Sequence, residues 1–277
     1  MFWRRALSVV VLLPLVLLIV YQGDWLYLLL IAITVLMMQV EYCRLAQHFA
    51  EKLNLVMPTL LAVTFCLLAY FLPTLTKTLS VSTVMFSFFI FVLIYIFAES
   101  VFRGQVAGEL LTVTLKLTGI LTIGWALGYN LILLRNSGAI GMHLCFLLAG
   151  TIWCGDTGAY LVGRAMGKHT LGTPLSPRKT IEGTIGGLVV GTLVGFTLCA
   201  VLLKGTISLV HAAIIGLLLT LLGQLGDLSV SLMKRTAGVK DSGDVIPGHG
   251  GFLDRCDSLI FSAPVLYYYL KLTGHLA

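Results

Sequence analysis

The residues of this chain that could do chemistry concentrate between Gln224 and Ser258, in a sequence of which only 11% is charged. This stretch combines carboxylates, clustered lysines and arginines, hydroxyl groups and a histidine beside two glycines. Its candidate catalytic and binding side chains are Asp227, Ser231, Lys234, Arg235, Lys240, Asp241, His249, Asp254, Arg255 and Asp257. Carboxylates beside basic side chains suit a hydrated metal ion that holds phosphates. We therefore expect phosphate chemistry in this segment.

The spacing at the start of the segment predicts one functional helix face. Asp227, Ser231 and Lys234 stand at i, i+4 and i+7, and they share a face if the helix continues to about Arg235. That face would present a metal ligand, a hydroxyl group and an ammonium group for phosphate. A carboxylate at the end of a membrane helix is costly unless it is paired or binds a cation. Function is therefore the preferred interpretation of Asp227.

Asp254 and Asp257 follow a glycine turn and open the last apolar segment. Acidic residues at a helix N-terminus also stabilise the helix dipole, and for Asp254 alone both interpretations stand. The other acids and the four bases nearby favour metal binding. His249, within the turn, could protonate a leaving group or hold the turn in shape.

A second polar cluster lies between Trp153 and Gly183. Asp156 falls inside an apolar segment, and Ser176, Arg178, Lys179 and Thr180 precede the next one. Hydroxyl and basic residues at the start of a helix suit a polyphosphate. The spacing differs from the G-x-x-x-x-G-K-[ST] phosphate loop. The alternative is a charge cluster that serves only membrane topology.

The elements that must position these residues are membrane helices. The chain is 58% hydrophobic, and apolar runs of spanning length recur throughout. We predict an all-α, polytopic membrane protein with nine spans, at residues 5–21, 25–40, 55–72, 80–98, 111–134, 140–163, 184–203, 206–228 and 256–273. Residues 1–140 are expected to form a scaffold. Residues 141–277 are expected to form the catalytic region, with polar loops at 164–183 and 229–255.

The distribution of lysine and arginine predicts the orientation. With a cytoplasmic N-terminus, thirteen of the eighteen basic residues fall inside and four fall outside, as the positive-inside rule expects. Both polar loops would then be cytoplasmic, in a multi-pass protein of a bacterial inner membrane. The remaining basic residue, Lys116, is expected to reach the membrane interface by snorkelling, and contact with a lipid phosphate is the alternative. No basic module lies outside the membrane segments, so nucleic-acid binding is not expected.

One predicted helix carries a stripe of small residues. Gly183, Gly187, Gly191 and Gly195 recur every four residues and leave one helix face bare. Such a face lets another helix approach closely. The sequence leaves open whether that helix belongs to the same chain or to a second copy.

The polar segments resemble a known family. Ser231 to Arg235, Lys240-Asp241 and the run from Pro247 to Ser258 are similar to the signature of phosphatidate cytidylyltransferases, and the similarity covers about Trp153 to Ser258. The resemblance implies that CTP and phosphatidate give CDP-diacylglycerol and pyrophosphate at a lipid bilayer. It also implies a helical homodimer, Mg²⁺, and less securely a monovalent cation such as K⁺ near the same site.

The resemblance also implies residue roles. Asp227 and Asp254 match the family's metal-binding acids, and we rank Asp257 and Asp156 second as metal or positioning ligands. The phosphates would be screened by Lys234, Arg235, Lys240, Arg178 and Lys179. Two rivals remain: a CTP-dependent lipid kinase, and a transporter that couples ions through its acids. Against the transporter, the acids gather at one membrane face and no inverted repeat is evident.

Overall fold

The computed structural model describes residues 2–51, 53–75, 80–104, 106–172, 175–245 and 250–276. Its helices are α1 (Phe2–Gln22), α2 (Asp24–Ala46), α3 (Val56–Leu75), α4 (Val81–Arg103), α5 (Glu109–Gly119), α6 (Asn130–Arg135), α7 (Gly141–Met166), α8 (Ile181–Leu202), α9 (Leu209–Thr236), α10 (Leu253–Cys256) and α11 (Leu259–Leu272). A π-helical segment, Ile120–Tyr129, joins α5 to α6. Thr170 and Thr180 form an isolated antiparallel β-bridge. The predicted all-α class is confirmed.

Seven stretches of the described chain are long and apolar enough to cross a membrane. They are Asp24–Ala46, Val56–Thr74, Val81–Arg103, Glu109–Arg135, Gly138–Met166, Ile181–Leu202 and Leu209–Thr236. Two further predicted spans coincide with shorter apolar helices, Val10–Gln22 and Leu259–Leu272, so the expected number of nine is not confirmed. Large apolar side chains such as Phe86 and Ile94 are exposed, as lipid-facing positions require.

The chain divides into two compact units. The first unit contains residues 1–133 and 241–253, and the second contains residues 134–240 and 254–277. The expected boundary after residue 140 concerned function, with a scaffold before it and a catalytic region after it. That functional division stays a prediction.

In the first unit, helix α2 and helix α3 pack against the α5–π–α6 segment. A Cβ atom added at Gly124 would lie 2.7 Å from the Cα atom of Ala62, so this glycine permits close contact with α3. The hydroxyl group of Tyr42 donates to the carbonyl oxygen of Leu115 at 2.9 Å and ties α2 to α5. The Asn130 amide donates to the carbonyl of Trp125 at 2.9 Å, within the π-helical segment.

Lys116 does not snorkel, and that expectation was wrong. Its side chain is fully buried in the first unit, and its Nζ lies 2.9 Å from the Oε2 atom of Glu99. A buried ammonium group is costly without a counter-charge. Glu99 on α4 supplies that charge, and it also pairs with Arg103 one turn further along the same helix. The lysine is therefore part of an internal ion-pair group.

In the second unit, the glycine stripe of α8 packs within the chain. All four stripe glycines are buried. A Cβ atom at Gly187 would lie 2.7 Å from the Cβ of Ala159 on α7, and one at Gly195 would lie 2.7 Å from the Cα of Gly216 on α9. Helices α7, α8 and α9 thus approach to near backbone contact, which answers the question that the sequence left open.

The start of α11 also packs closely against α9. A Cβ atom at Gly226 would collide with the carbonyl oxygen of Asp257. Further along, the Ser262 hydroxyl group donates to the Leu219 carbonyl at 3.2 Å. Because Gly226 directly precedes Asp227, this contact brings Asp257 close to the first predicted metal ligand.

Candidate active site

A pocket of about 520 Å³ opens in the second unit among α7, α8, α9 and the segment before α8. Its lining residues are Asp156, Ala159, Tyr160, Gly163, Arg164, Leu171, Arg178, Lys179, Thr180, Gly183, Thr184, Gln224, Asp227 and Leu228. Pockets of this size suit small ligands. Five predicted site residues line it together: Asp156, Arg178, Lys179, Thr180 and Asp227.

The segment that supplies the basic side chains of the pocket is a folded loop, here called the first polar loop (residues 167–180). Its two ends are joined by hydrogen bonds from the Leu171 amide to the Lys179 carbonyl at 2.9 Å and from the Ile181 amide to the His169 carbonyl at 2.8 Å. The Thr180 side chain then caps α8 by accepting a bond from the Gly183 amide at 3.1 Å. The positions of Arg178 and Lys179 therefore follow from the start of α8.

Glu182, in the first turn of α8, binds the beginning of the first polar loop. Its carboxylate accepts bonds from the Lys168 amide at 3.2 Å and from the His169 amide at 3.2 Å. It also lies 2.6 Å from the His169 Nδ1 atom, and 26% of its side chain is exposed. The loop is thus held by a glutamate that solvent can reach.

The ammonium group of Lys179 forms an ion pair with the carboxylate of Asp227 on α9. Both side chains are about one-third exposed, at the pocket wall. Ser231 lies one turn further on, and its hydroxyl group contacts the other carboxylate oxygen of Asp227 at 3.5 Å. The predicted helix face of Asp227, Ser231 and Lys234 is present, because α9 continues to Thr236.

The second predicted metal ligand, Asp254, has a lysine partner of its own. Lys234 on α9 forms an ion pair with Asp254, and the two side chains are 12% and 9% exposed. At this low exposure the attraction between the two charges is screened less than at the surface, and removing either partner would leave a poorly solvated charge. Each of the two predicted metal-binding acids therefore has an ammonium group beside it.

Asp257 lies before α11 and belongs to a concentration of negative charge. Its pKa is raised to about 7, chiefly by burial of the carboxyl group and further by the nearby charges of Asp227 and Asp156. Its side chain accepts a bond from the Ser258 amide at 2.7 Å. The charges of Asp227 and Asp156 thus disfavour ionisation of Asp257, and a cation nearby would reduce this repulsion.

The oxygen donors present fit a divalent cation such as Mg²⁺, which prefers carboxylate ligands. Among the residues that the structure describes, however, no group of three or more His, Cys, Asp or Glu side chains is arranged as a metal cluster. Lys179 and Lys234 instead contact the acids in question. Joint coordination of one ion by Asp227 and Asp254 stays a prediction.

Other predicted site residues have less defined places. Arg235 donates to the carbonyl oxygens of Leu175 at 3.3 Å and Val239 at 3.1 Å, so it contacts backbone in the second unit. Ser176 is half-buried, and its carbonyl accepts a bond from the Lys179 amide at 3.1 Å. Three residues are exposed without lining the pocket: Lys240, Asp241 and Arg255. His249 lies outside the described residues.

Sequence reasoning missed several polar residues. Gln224 lines the pocket and donates to the Thr184 carbonyl of α8 at 3.0 Å, and its place one turn before Asp227 could have marked it. The fastening role of Glu182 could have been suspected from its position beside the Thr180 cap. Glu41 was placed in the expected scaffold, although a carboxylate next to an apolar run is itself a functional signal.

Known proteins resemble this chain at two levels, a family model that matches nearly all of it and individual relatives that match about half. A sequence model of the Cytidylyltransferase family matches residues 3–273. The chain is 44% identical over 139 residues to the phosphatidate cytidylyltransferase of Bacillus subtilis (strain 168), which is 50% of this chain and 51% of that protein. It is 46% identical over 132 residues to the same-named protein of Synechocystis, which is 48% of this chain and 44% of that protein. The aligned part spans about half the length of these curated relatives.

Proposed function

The chain belongs to the cytidylyltransferase family, and we propose that it is a phosphatidate cytidylyltransferase, which makes CDP-diacylglycerol and pyrophosphate from CTP and phosphatidate. The observation that carries the proposal is the pocket of the second unit, where Lys179 and Asp227 pair beside Arg178 and the N-terminus of α8. Basic side chains and a helix N-terminus suit the phosphates of a nucleoside triphosphate, and a carboxylate suits the cation that accompanies them.

The proposed reaction needs charge control more than a strong base. A phosphate oxygen of phosphatidate attacks the α-phosphorus of CTP, a new phosphorus–oxygen bond forms, and the bond to the bridging oxygen breaks as pyrophosphate leaves. A phosphate monoester is largely dianionic at neutral pH, because its second pKa is about 6. The attacking oxygen therefore needs no deprotonation, and the obstacle is the repulsion between two polyanions.

The side chains of the chain can reduce that repulsion. Lys179 and Arg178 lie at the pocket and can bind the triphosphate. The amides at the start of α8 add a positive partial charge. Lys234, which forms the second ion pair with Asp254, can also screen the negative charge of a phosphate group. Thr180 and Ser231 can donate hydrogen bonds that orient the phosphates.

Asp227 and Asp254 are the residues proposed to hold Mg²⁺, with Asp257 and Asp156 as further ligands. The bound ion would neutralise charge on the transferring phosphate group. Support comes from the negative charge around Asp257 and from the oxygen-only donor set. A neighbouring monovalent cation such as K⁺ and a homodimer complete the proposal, and both rest on the resemblance alone.

The membrane has a part in the proposed mechanism. Phosphatidate keeps its acyl chains in the bilayer, so its headgroup meets CTP only at an interface. The pocket lies at the C-terminal ends of α7 and α9 and the N-terminal end of α8. Lys/Arg counting assigns this end to the cytoplasm, and the curated bacterial relatives fit an inner-membrane location.

The test is transfer of label by the purified full chain in vesicles that contain phosphatidate and Mg²⁺. CTP labelled at the α-phosphorus should mark the lipid, and pyrophosphate should appear in equal amount. CTP labelled at the γ-phosphorus should leave the lipid unlabelled.

Transfer of γ-label to a lipid alcohol such as diacylglycerol, with no α-label on phosphatidate, would identify a CTP-dependent lipid kinase and would reject the proposal. Absence of α-label on phosphatidate, with CTP left intact, would also reject the proposal. A matched reaction with diacylglycerol in place of phosphatidate serves as the control, because it offers a hydroxyl group and no phosphate.

A further inference from the structure

Glu41 is a buried acid in the first unit that the proposed mechanism does not use. It lies near the C-terminal end of α2, and only 1% of it is exposed. Its partners come from the second polar loop, defined here as residues 241–253, which is more than 200 residues away in sequence. Contacts between α2 and this distant loop suggest that Glu41 has a role beyond the packing of α2.

The Glu41 carboxylate binds both ends of the second polar loop. At the beginning of the loop, the Ser242 hydroxyl group donates to Oε2 at 2.9 Å. At the end of the loop, the Phe252 amide donates to Oε1 at 3.0 Å and the Leu253 amide donates to Oε2 at 2.9 Å. One carboxylate thus closes a loop of which residues 241–245 and 250–253 are described.

Two glycines of the loop make room for this carboxylate. A Cβ atom added at Gly243 would lie 2.9 Å from Oε1 of Glu41, and one added at Gly251 would collide with Oε2 and with the Ser242 side chain. The preceding residue, Gly250, has a φ of +80°, which side-chain-bearing residues rarely adopt. The Gly-Gly pair therefore serves two purposes, a left-handed turn and close approach to Glu41.

The cost of burying the Glu41 carboxylate favours the fastened arrangement of the loop. A buried carboxylate is costly unless hydrogen bonds replace its water. The loop supplies three such bonds to Glu41, so leaving the loop unfastened would expose Glu41 to that cost. The last two donors directly precede Asp254, the second residue of α10.

We propose that Glu41 is a positioning residue, whose carboxylate fastens the second polar loop and thereby fixes the backbone that leads into Asp254. This inference rests on the proposed function for its catalytic consequence, since Asp254 is a proposed metal ligand there. The fastening itself is independent of the reaction.

The activity test compares three variants of the full chain in vesicles. Glu41→Ala removes all acceptors and should lower kcat about tenfold to a hundredfold, because a small misplacement of a reacting group has effects of this size. The KM for CTP should change less than about threefold, because none of the described loop residues, 241–245 and 250–253, lines the pocket. Glu41→Gln keeps one carbonyl acceptor and should retain clearly more activity than Glu41→Ala.

Hydrogen exchange read by mass spectrometry tests the fastening without substrate. Exchange at the Phe252 and Leu253 amides should rise at least about tenfold in Glu41→Ala, while helices α3 and α4 keep their protection. Ser242→Ala removes one donor only and should raise exchange less. Glu51→Ala, an exposed change in the same unit, is the matched control and should leave both exchange and kcat unchanged.

The outcomes separate the two proposals. Unchanged exchange at Phe252 and Leu253, or increased exchange throughout the first unit, would overturn the positioning role. Raised loop exchange with a normal kcat would overturn it as well. If Glu41→Ala does not fold, the graded effects of Glu41→Gln and Ser242→Ala decide. If the wild-type chain transfers no label to phosphatidate, the proposed function fails, and the exchange data still decide the fastening.

Discussion

The two polar loops of this protein are each fastened by one glutamate, and the two glutamates differ in almost every other respect. Glu182 follows the first polar loop by a few residues and binds Lys168 and His169, thirteen to fourteen positions away. Glu41 binds the second polar loop from more than 200 positions away. The side chain of Glu182 is about one-quarter exposed, whereas Glu41 is almost fully buried.

This difference indicates that losing the glutamate should affect the two loops unequally. The first polar loop has other ties, including the Thr170–Thr180 bridge and the Leu171–Lys179 hydrogen bond. Water can also replace a partner of an exposed glutamate. For the second polar loop, the Glu41 carboxylate gathers donors from both ends, and no water reaches a buried group readily. Loss of Glu41 should therefore matter more than loss of Glu182.

The largest loss of activity is expected from changing Asp227, which pairs with Lys179 of the first polar loop. Asp227→Asn keeps the size of the side chain and removes its charge, so it should lower the transfer of α-label to lipid by about a thousandfold or more. Membrane insertion should be retained. Asp244→Asn, an exposed acid of the second polar loop, is the control. Near-normal turnover in Asp227→Asn would contradict the assignment of this residue.

A smaller effect is expected from breaking the exposed fastening. Glu182→Ala should lower kcat/KM for CTP about threefold to tenfold, mainly through KM, because the loop carries Arg178 and Lys179 and keeps its other ties. Steady-state kinetics beside Glu41→Ala and the exposed control Lys204→Ala would measure this. A larger loss of kcat in Glu182→Ala than in Glu41→Ala would reverse the comparison.

The last effect concerns stability and pH, and it leaves the comparison of the two loops untouched. In the folded protein the pKa of Asp257 is raised to about 7 from its ordinary value of 3.8. Between these values the folded state holds a proton that the unfolded state has lost, so stability falls as pH rises through this window. Without divalent ions, the free energy of unfolding should therefore fall between pH 4.5 and pH 7.5. Asp257→Asn should flatten this slope in thermal unfolding scans.

Much of the chemistry-bearing pattern could be predicted because it is local. The helix face of Asp227 and Ser231 follows from helical spacing, and the cap at Thr180 follows from residue type. The burial of Lys116 could not be predicted, because its counter-charge, Glu99, lies on another helix. The partner of the α8 glycine stripe could not be predicted either. A bare helix face accepts any close helix, from the same chain or from a second copy.

The sequence by itself determined that this is a helical membrane protein and which short segments carry its acids and bases, because hydropathy and helix spacing act over a few neighbouring residues. Only the tertiary structure decided which partner each charged group has. Lys179 pairs with Asp227, Lys234 with Asp254, and Glu41 receives the second polar loop. The physical reason is that burial makes an unpaired charge costly, and the partner that removes this cost can come from any part of the chain that folding brings near.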